Sequence, residues 1–201
     1  TDNNTNDTTP TMSASGGTNG DTMTISATNG TTTVSCTYVI GAATNCTLPT
    51  LTDGTWNISS TLTDPAGNVS LASSGLPITI DTTGPQSLAP DVIASSDTGV
   101  SDADNITNDT TPTITFTGQT TGDVITVNAS NGVTTVSCIY TVGANTNCTL
   151  GALSNGTWTI SASVTDAAGN TGTTQSLDIS VDTTPPTAPS GVDLSLIHIS
   201  E

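Results

Sequence analysis

Apolar and polar residues alternate along several short stretches of the chain. The clearest stretch follows Gly156, and its apolar positions are Trp158, Ile160, Ala162 and Val164. An earlier stretch after Gly54 keeps the same phase with Trp56, Ile58, Ser60 and Leu62. Alternation with a period of two is typical of a β-strand that buries one face. The pattern therefore predicts strands, and nothing along the chain has the period of an amphipathic helix.

Further strands are predicted from shorter apolar runs and from the turn residues between them. They cover Val124–Ala129, Thr134–Val142 and Leu177–Val181, a segment near Leu88–Ala94, and the alternation at Ile114 and Phe116. Asn131-Gly132 and Asn29-Gly30 stand between strand runs and indicate tight hairpins. Short strands with frequent turns favour a β-sandwich over a barrel or a helical fold. We expect an all-β chain of tandem immunoglobulin-like Greek-key sandwiches.

The chain contains an internal repeat with a period close to one small β-domain. Asp2–Pro10 recurs as Asp104–Pro112, Gly54-Thr-Trp56 as Gly156-Thr-Trp158, and Thr63–Asn68 as Thr165–Asn170. The counterpart of residues 86–101 is missing from the first copy. We predict one repeat over residues 1–84, whose first strand is missing or truncated, and a second over 85–185. Residues 186–201 are predicted to start a further repeat and to end in an unrelated tail, 196–201.

The charge balance removes whole classes of function. The chain has 17 acidic residues, no Lys or Arg, and a net charge of −17. Binding to nucleic acid or insertion into an anionic membrane is not expected, because both depend on cationic side chains. Self-repulsion without internal cations must be screened by salt or relieved by bound cations. All the acids except Glu201 are Asp, a residue of turns and loops.

The four cysteines fall in register with the repeat. Cys36 and Cys46 are ten residues apart, as are Cys138 and Cys148. Of the three possible pairings, only Cys36–Cys46 with Cys138–Cys148 respects the repeat, and it favours one disulfide in each copy. A four-thiolate metal site and free buried thiols are the alternatives, and the first lacks the close spacing of zinc sites. Disulfides would indicate a secreted or cell-surface protein.

Three motifs together resemble a known family. They are the Asp-Thr-Thr-Pro-Pro sequence at Asp182–Pro186, the acidic opening at Ser96–Pro112, and Thr-Asp-Ala-Ala-Gly-Asn at Thr165–Asn170. These motifs are similar to the bacterial Ig-like repeats of very large type I-secreted, calcium-binding surface adhesins. The resemblance implies a long stalk of many copies, stiffened by calcium near the domain junctions. The chain departs from the family pattern at Gly84, which stands in place of the first of the two linker prolines, and in having a cysteine pair in each copy.

The predicted strand order also brings Asp residues together at the ends of the sandwiches. At the junction of the copies we expect Asp2 and Asp7 from the first copy, Asp81 from the linker, and Asp166 beside Asn170 from the second. At the far end of the second copy we expect a second group of acidic residues. They come from the loop after its first strand and from the end of its last strand. They are Asp97, Asp102, Asp104, Asp109 and Asp182.

Carboxylates from several segments suit Ca²⁺, which takes six to eight oxygen ligands with forgiving geometry. Asp64, the counterpart of Asp166, is a further candidate ligand, and Asp53 and Asp123 are lesser ones. The competing interpretation is that these Asp residues are ordinary turn residues that need no ion.

Catalytic machinery is missing from the repeats. The single histidine, His198, lies in the tail, and no Lys or Arg is present to clamp a phosphate or activate a nucleophile. We predict a non-enzymatic spacer of a bacterial cell-surface adhesin, expected to be monomeric, whose partners are neighbouring repeats and whose target is bound by another domain. The alternative is a module that recognises a glycan or protein, which would require exposed aromatic residues in one copy only.

Overall fold

The computed structural model describes residues 2–86, 88–173 and 175–191 as two consecutive β-sandwiches. The first contains β1 (Asn4–Thr5), β2 (Thr11–Met12), β3 (Thr22–Thr28), β4 (Thr33–Val39), β5 (Cys46–Thr47), β6 (Gly54–Thr63) and β7 (Leu76–Ile80). The second contains β8 (Pro90–Val92), β9 (Ile106–Thr107), β10 (Thr113–Phe116), β11 (Val124–Ser130), β12 (Thr135–Thr141), β13 (Asn147–Thr149), β14 (Gly156–Thr165), β15 (Thr171–Thr173) and β16 (Leu177–Val181). None of the described residues forms a helix that could cross a membrane.

The strand order in both sandwiches is that of a Greek key. In the second sandwich one sheet has the order β12-β11-β14-β16-β9, with β15 on β14, and the other has the order β13-β10-β8. The chain crosses from β10 to the β11–β12 hairpin in the opposite sheet and returns as β13 beside β10. The first sandwich repeats this arrangement with β1-β7-β6-β3-β4 and β2-β5. The predicted all-β, tandem immunoglobulin-like fold is confirmed.

The alternating positions form the two cores. Every second residue of β11 and of β3 is buried, and Trp158 and Trp56 are each 2% exposed in equivalent places. Each indole N–H donates to a backbone carbonyl four residues earlier, that of Ser154 at 2.9 Å and that of Thr52 at 2.8 Å. Both tryptophans are therefore core residues whose polar atom is satisfied.

The predicted hairpins occur, with longer connections than the tight turns expected. Residues 131–134 join β11 to β12, and the Asn131 side-chain oxygen accepts hydrogen bonds from the amides of Val133 and Thr134. Gly132 has φ 84°, whereas Asn131 is not among the residues with positive φ. A two-residue type I′ turn needs positive φ at both positions, so the chain uses a four-residue loop held by Asn131 instead.

Both predicted disulfides are confirmed. Cys36–Cys46 and Cys138–Cys148 are bonded with Cα atoms 5.8 and 6.2 Å apart, which excludes a four-thiolate metal site and free thiols. One cysteine of each pair lies on the edge strand of the larger sheet (β4 or β12) and the other on the edge strand of the smaller sheet (β5 or β13). Each disulfide therefore joins the two sheets of its sandwich along one side.

The first sandwich has no counterpart of β8 among residues 2–86. In the second sandwich β8 pairs with β10, and Leu88 and Val92 from this segment are buried in the core. In the first sandwich β2 pairs with β5 alone, and its Met12 is only partly buried. The described part of the first sandwich therefore begins with β1, which is equivalent to β9 of the second. The tail prediction for residues 196–201, including His198, lies outside the described residues.

Candidate cation site between the two sandwiches

The carboxyl-terminal end of the first sandwich contacts the turn between β14 and β15 of the second. The Asn6 amide donates a hydrogen bond to the Ala168 carbonyl at 3.1 Å. The Asn170 side chain donates from Nδ2 to the Asp81 carbonyl at 2.8 Å. The linker also packs closely here, since a Cβ on Gly172 would lie 2.6 Å from the Pro85 carbonyl oxygen. The junction is thus fixed on both sides of this turn.

The contacting turn is shaped by its own aspartate. Asp166 Oδ1 accepts hydrogen bonds from the amides of Ala168 and Asn170, both at 2.9 Å, and Oδ2 accepts one from Asn170 Nδ2 at 3.0 Å. In the first sandwich Asp64 and Asn68 build the same turn. The repeated Asp-x-Ala-Gly-Asn motif is therefore first a turn motif. In the second sandwich Asn170 also reaches across to the first.

Three carboxylates line the space beside this turn. Asp81, Asp123 and Asp166 border a cleft of about 390 Å³ and also an adjoining one of about 220 Å³. Asp81 follows β7 and belongs to the linker, Asp123 precedes β11, and Asp166 follows β14. We call these three residues and the space between them the junction cleft. It receives carboxylates from the second sandwich and from the linker that joins the two sandwiches.

The charges in the junction cleft are not balanced by the protein. Burial raises the pKa of Asp123, which is 7% exposed, and the nearby charge of Asp166 raises it further, against one hydrogen bond from the Thr120 backbone. Burial also raises the pKa of Asp166, but hydrogen bonds from Asn170, Ala168 and Gly169 outweigh this and lower it. Because the chain has no Lys or Arg, no side chain of either type can offset these like charges.

The donor chemistry of the junction cleft fits a hard divalent cation. Carboxylate oxygens come from three segments, Asn4 lines the adjoining space, and clefts of this size are large enough to admit water. Among the described residues, however, no three Asp, Glu, His or Cys side chains lie close enough together to hold a metal ion as they stand. A cation would have to draw the carboxylates inward or complete its shell with water.

Two of the predicted junction ligands, Asp81 and Asp166, line the cleft, whereas Asp2 and Asp7 do not. Asp2 Oδ1 accepts a hydrogen bond from the Asn4 amide at 3.3 Å. Asp7 Oδ1 accepts hydrogen bonds from the amide and hydroxyl of Thr9 at 2.8 and 3.3 Å. Each carboxylate accepts a hydrogen bond from the backbone amide two residues later and so stabilises a local turn, as a turn interpretation expects.

The other predicted ligands lie elsewhere in the chain. Asp64 is partly buried in the first sandwich, and hydrogen bonds from the Asn68 side chain and backbone lower its pKa. The loop between β8 and β10 carries Asp102, Asp104 and Asp109, and Asp182 follows β16. Burial raises the pKa of Asp109, but hydrogen bonds from Thr111 and Ser96 outweigh it and lower the pKa. Asp53 accepts hydrogen bonds from Thr82 and Thr83 in the linker.

Asp123 is the cleft residue that sequence reasoning undervalued. Its position recurs in the repeat as Asp21, directly before β3 in the first sandwich. The recurrence of an aspartate directly before a strand could have indicated Asp123, but the aspartates of ordinary turns recur in the same way. What distinguishes Asp123 is its burial beside the turn of Asp166, which depends on the packing of three segments.

The variant Asp123→Asn is expected to stabilise the metal-free protein at neutral pH, by about 0.5–1 kcal/mol. The folded-state pKa of Asp123 is raised, so its contribution to stability is complete at acidic pH and is lost as pH rises through that pKa. Thermal unfolding in EDTA at pH 7 and at acidic pH measures this, with the gain confined to pH 7. Asp21→Asn is the matched control. A lower melting temperature for Asp123→Asn at pH 7 would contradict the electrostatic interpretation.

Comparison with known proteins identifies both repeats. A family model described as bacterial Ig-like domain matches residues 1–82 and again residues 85–183. No curated protein matches the chain.

Several solved structures share the architecture. The FN1–FN3 domains of chicken CNTN1 are 10% identical, with a TM-score of 0.53 over 81% of this chain and 56% of that chain. The fibronectin(III)-like modules of Clostridium thermocellum CbhA are 15% identical, with a TM-score of 0.47 over 86% of this chain and 85% of that one. A structure titled as a Ca²⁺-stabilised adhesin with which an Antarctic bacterium binds ice is 19% identical, with a TM-score of 0.42 over 86% of this chain and 43% of that chain. The first of these likenesses supports the sandwich fold alone.

Proposed function

Because the chain belongs to the bacterial Ig-like domain family, we propose that it is a spacer segment of a bacterial surface adhesin, rigidified by calcium at its inter-domain junction. The observation that carries the proposal is the junction cleft, where Asp81, Asp123 and Asp166 come from the linker and the second sandwich. A cation there would hold the linker against the second sandwich. That is the mechanical requirement of a stiff stalk.

Two features of the junction support stiffening rather than simple tethering. The hydrogen bonds from Asn6 to Ala168 and from Asn170 to Asp81 already fix one relative orientation of the sandwiches. Opposing them is the like charge of Asp81, which the closed junction brings from the linker into the cleft that holds Asp123 and Asp166. A calcium ion would remove that repulsion and leave the hydrogen bonds, so its binding would favour the closed junction over a hinged one. Affinity for the closed form alone shifts the equilibrium towards it.

The alternative role of a glycan- or protein-binding module receives no support from the aromatic residues. The chain has two Trp, two Tyr and one Phe, and all five are at most 7% exposed. Neither copy offers an exposed aromatic side chain on which a sugar ring could stack or a partner could anchor. The proposal therefore places the adhesion target on another domain, treats this segment as non-enzymatic and monomeric, and takes neighbouring repeats as its partners.

The proposed setting is outside the cell. The two disulfides suit an oxidising environment. The absence of Lys and Arg leaves no cleavage site for trypsin-like proteases, a useful property for an exposed stalk.

Small-angle X-ray scattering of the whole chain, in calcium and then in EDTA, tests the proposal. With calcium the two sandwiches are expected to adopt one extended arrangement; in EDTA we expect a broader distribution of lengths, because the repulsion in the junction cleft is no longer offset. The double variant Asp123→Asn/Asp166→Asn should give the same scattering in both buffers.

The repeat provides a matched control for that experiment. Asp21→Asn/Asp64→Asn changes the equivalent residues of the first sandwich, including the same turn aspartate, away from the junction cleft. This control should respond to calcium as the unaltered chain does. If the unaltered chain itself has the same length distribution in calcium and in EDTA, calcium rigidification is wrong.

A further inference from the structure

The first sandwich has an open apolar groove beside β2. Two clefts of about 140 and 150 Å³ adjoin each other, since both are bordered by Ser60 and Ser73. We call the two clefts together the β2 groove. No charged side chain lines it, although the chain carries a net charge of −17. Its apolar lining includes Met12, Ile25, Ile58, Leu62, Leu71 and Leu76.

The second sandwich shows which element fits such a groove. There β8 pairs antiparallel with β10, with Val92 opposite Ile114, and buries both Leu88 and Val92 in the core. The counterpart of Ile114 in the repeat is Met12 of β2, which lines the β2 groove. The groove therefore lies where the second sandwich has a strand with apolar residues at alternate positions.

Side chains around the β2 groove are less covered than their counterparts. Val164 is 0% exposed, whereas its counterpart Leu62 is only partly buried. Leu76 is 46% exposed, whereas its counterpart Leu177 is partly buried against the core. Leu71, which lines the groove, is 94% exposed. Neighbouring exposed apolar side chains beside a groove are typical of a binding surface.

In the second sandwich the backbone of the β8 segment is bound on both sides. The Ile93 amide donates to the Thr113 carbonyl at 3.1 Å. On the opposite side the Leu88 carbonyl accepts a hydrogen bond from the Gln175 amide at 3.0 Å. The segment is thus held between β10 and the residues that precede β16.

The first sandwich has the equivalent backbone positions at the margins of its groove. Thr11 is the counterpart of Thr113, and Ser74, the counterpart of Gln175, lines the β2 groove. Among the described residues β2 pairs with β5 alone, so its other edge has no partner strand. A strand edge of this kind is a template to which an extended segment can add.

We propose that the first sandwich binds a donated β-strand in the β2 groove, antiparallel to β2 and in the register that β8 takes on β10. The partner has apolar residues at alternate positions, as Leu88, Pro90 and Val92 do, and any acidic residue points outward, as the exposed Asp91 does. Because β8 of this chain is already paired with β10, the donor is the corresponding strand of another repeat. This binding is independent of a cation in the junction cleft.

A synthetic peptide of residues 88–95, blocked at both ends, tests the proposal in EDTA. It is added to the 201-residue chain carrying Trp158→Phe, in which Trp56 reports urea unfolding of the first sandwich. The peptide should raise the midpoint in a saturable manner, by roughly 1 M at ten times its dissociation constant. In the chain carrying Trp56→Phe the midpoint of the second sandwich should not change, because β8 already occupies the equivalent place.

Altered peptides separate strand addition from apolar contact. Leu88→Ser with Val92→Ser removes the side chains that would fill the groove, and methylation of the Ile93 amide removes the donor to the Thr11 carbonyl. Each change should abolish the shift. Methylation of the Val92 amide is the matched control and should preserve most of the shift, because alternation along the strand directs that amide away from β2.

Three outcomes would overturn the proposal. The first is an unchanged midpoint of the first sandwich at millimolar peptide. The second is an equal shift with the peptide methylated at Ile93, which would make the groove an unspecific apolar patch. The third is an equal shift in both sandwiches, which would show a general effect of the peptide on unfolding.

Discussion

In a urea titration of the 201-residue chain, the first sandwich is expected to unfold at a lower urea concentration than the second. The reason is the missing counterpart of β8. In the second sandwich Leu88 and Val92 are 4% and 3% exposed, and burying such side chains contributes about 1.5–3 kcal/mol each. After the entropy of ordering the strand is subtracted, we expect a difference of about 2–4 kcal/mol in free energy of unfolding.

The residues that β8 would cover show the same deficit. Ile114 and Phe116 of β10 are 0% and 4% exposed, whereas their counterparts Met12 and Ala14 are only partly buried. Among the described residues, the buried cluster of the second sandwich has eighteen members and that of the first has ten. Both cores are built on the same alternation, and we attribute most of the expected difference in stability to the missing edge strand of the smaller sheet.

The single tryptophan in each sandwich makes the measurement possible. Trp158→Phe leaves Trp56 as the only indole and reports on the first sandwich, and Trp56→Phe leaves Trp158 to report on the second. With a urea dependence of about 1–2 kcal/mol per molar, the two fluorescence midpoints should differ by roughly 1–3 M. As a control, Leu88→Ala in the Trp56→Phe background should lower the midpoint of the second sandwich. Coincident midpoints for the two reporters would show that β8 adds no net stability.

Most of the fold was predictable because its signals are local. Alternation at Trp158, Ile160 and Val164 is a direct consequence of one buried face, and the structure places all three in the core. The repeat then fixed the cysteine pairing, since only one pairing maps Cys36–Cys46 onto Cys138–Cys148. The length of the β11–β12 hairpin was not predictable, because Asn131 holds the loop through its side chain and not through a left-handed backbone.

The candidate site was predictable only at the level of which segments meet. Strand order places the ends of β7 and β14 at one junction, and Asp81 and Asp166 accordingly line one cleft. Side-chain direction is a different matter. Asp7 accepts hydrogen bonds from the amide and hydroxyl of Thr9, two residues later. No pattern in the sequence distinguishes this aspartate from one that is free to bind an ion. Burial of Asp97 and Asp123 arises from packing between distant segments, so the sequence could name them but not rank them.

Removal of the disulfide from the second sandwich, through Cys138→Ala with Cys148→Ala, is expected to lower its stability by about 2–3 kcal/mol. The closed loop is short, with the cysteines ten positions apart, so the entropic gain is at the lower end of the usual range. The position of the bond adds to its importance. It joins β12 to β13, which lie at the edges of opposite sheets, and without it the two sheets are held on that side by side-chain packing alone.

The same change in the first sandwich, Cys36→Ala with Cys46→Ala, should have the more severe consequence. Because its core is smaller, the first sandwich has a lower free energy of unfolding. A decrease of similar size therefore populates its unfolded state at a lower urea concentration. The single-tryptophan reporters measure each midpoint, and adding dithiothreitol to the unaltered chain should reproduce both shifts. Unshifted midpoints under reduction would mean that packing alone holds the sheets together. With the expected shifts, a reducing compartment would leave the first sandwich partly unfolded, which ties the stability of this chain to the oxidising environment proposed for its function.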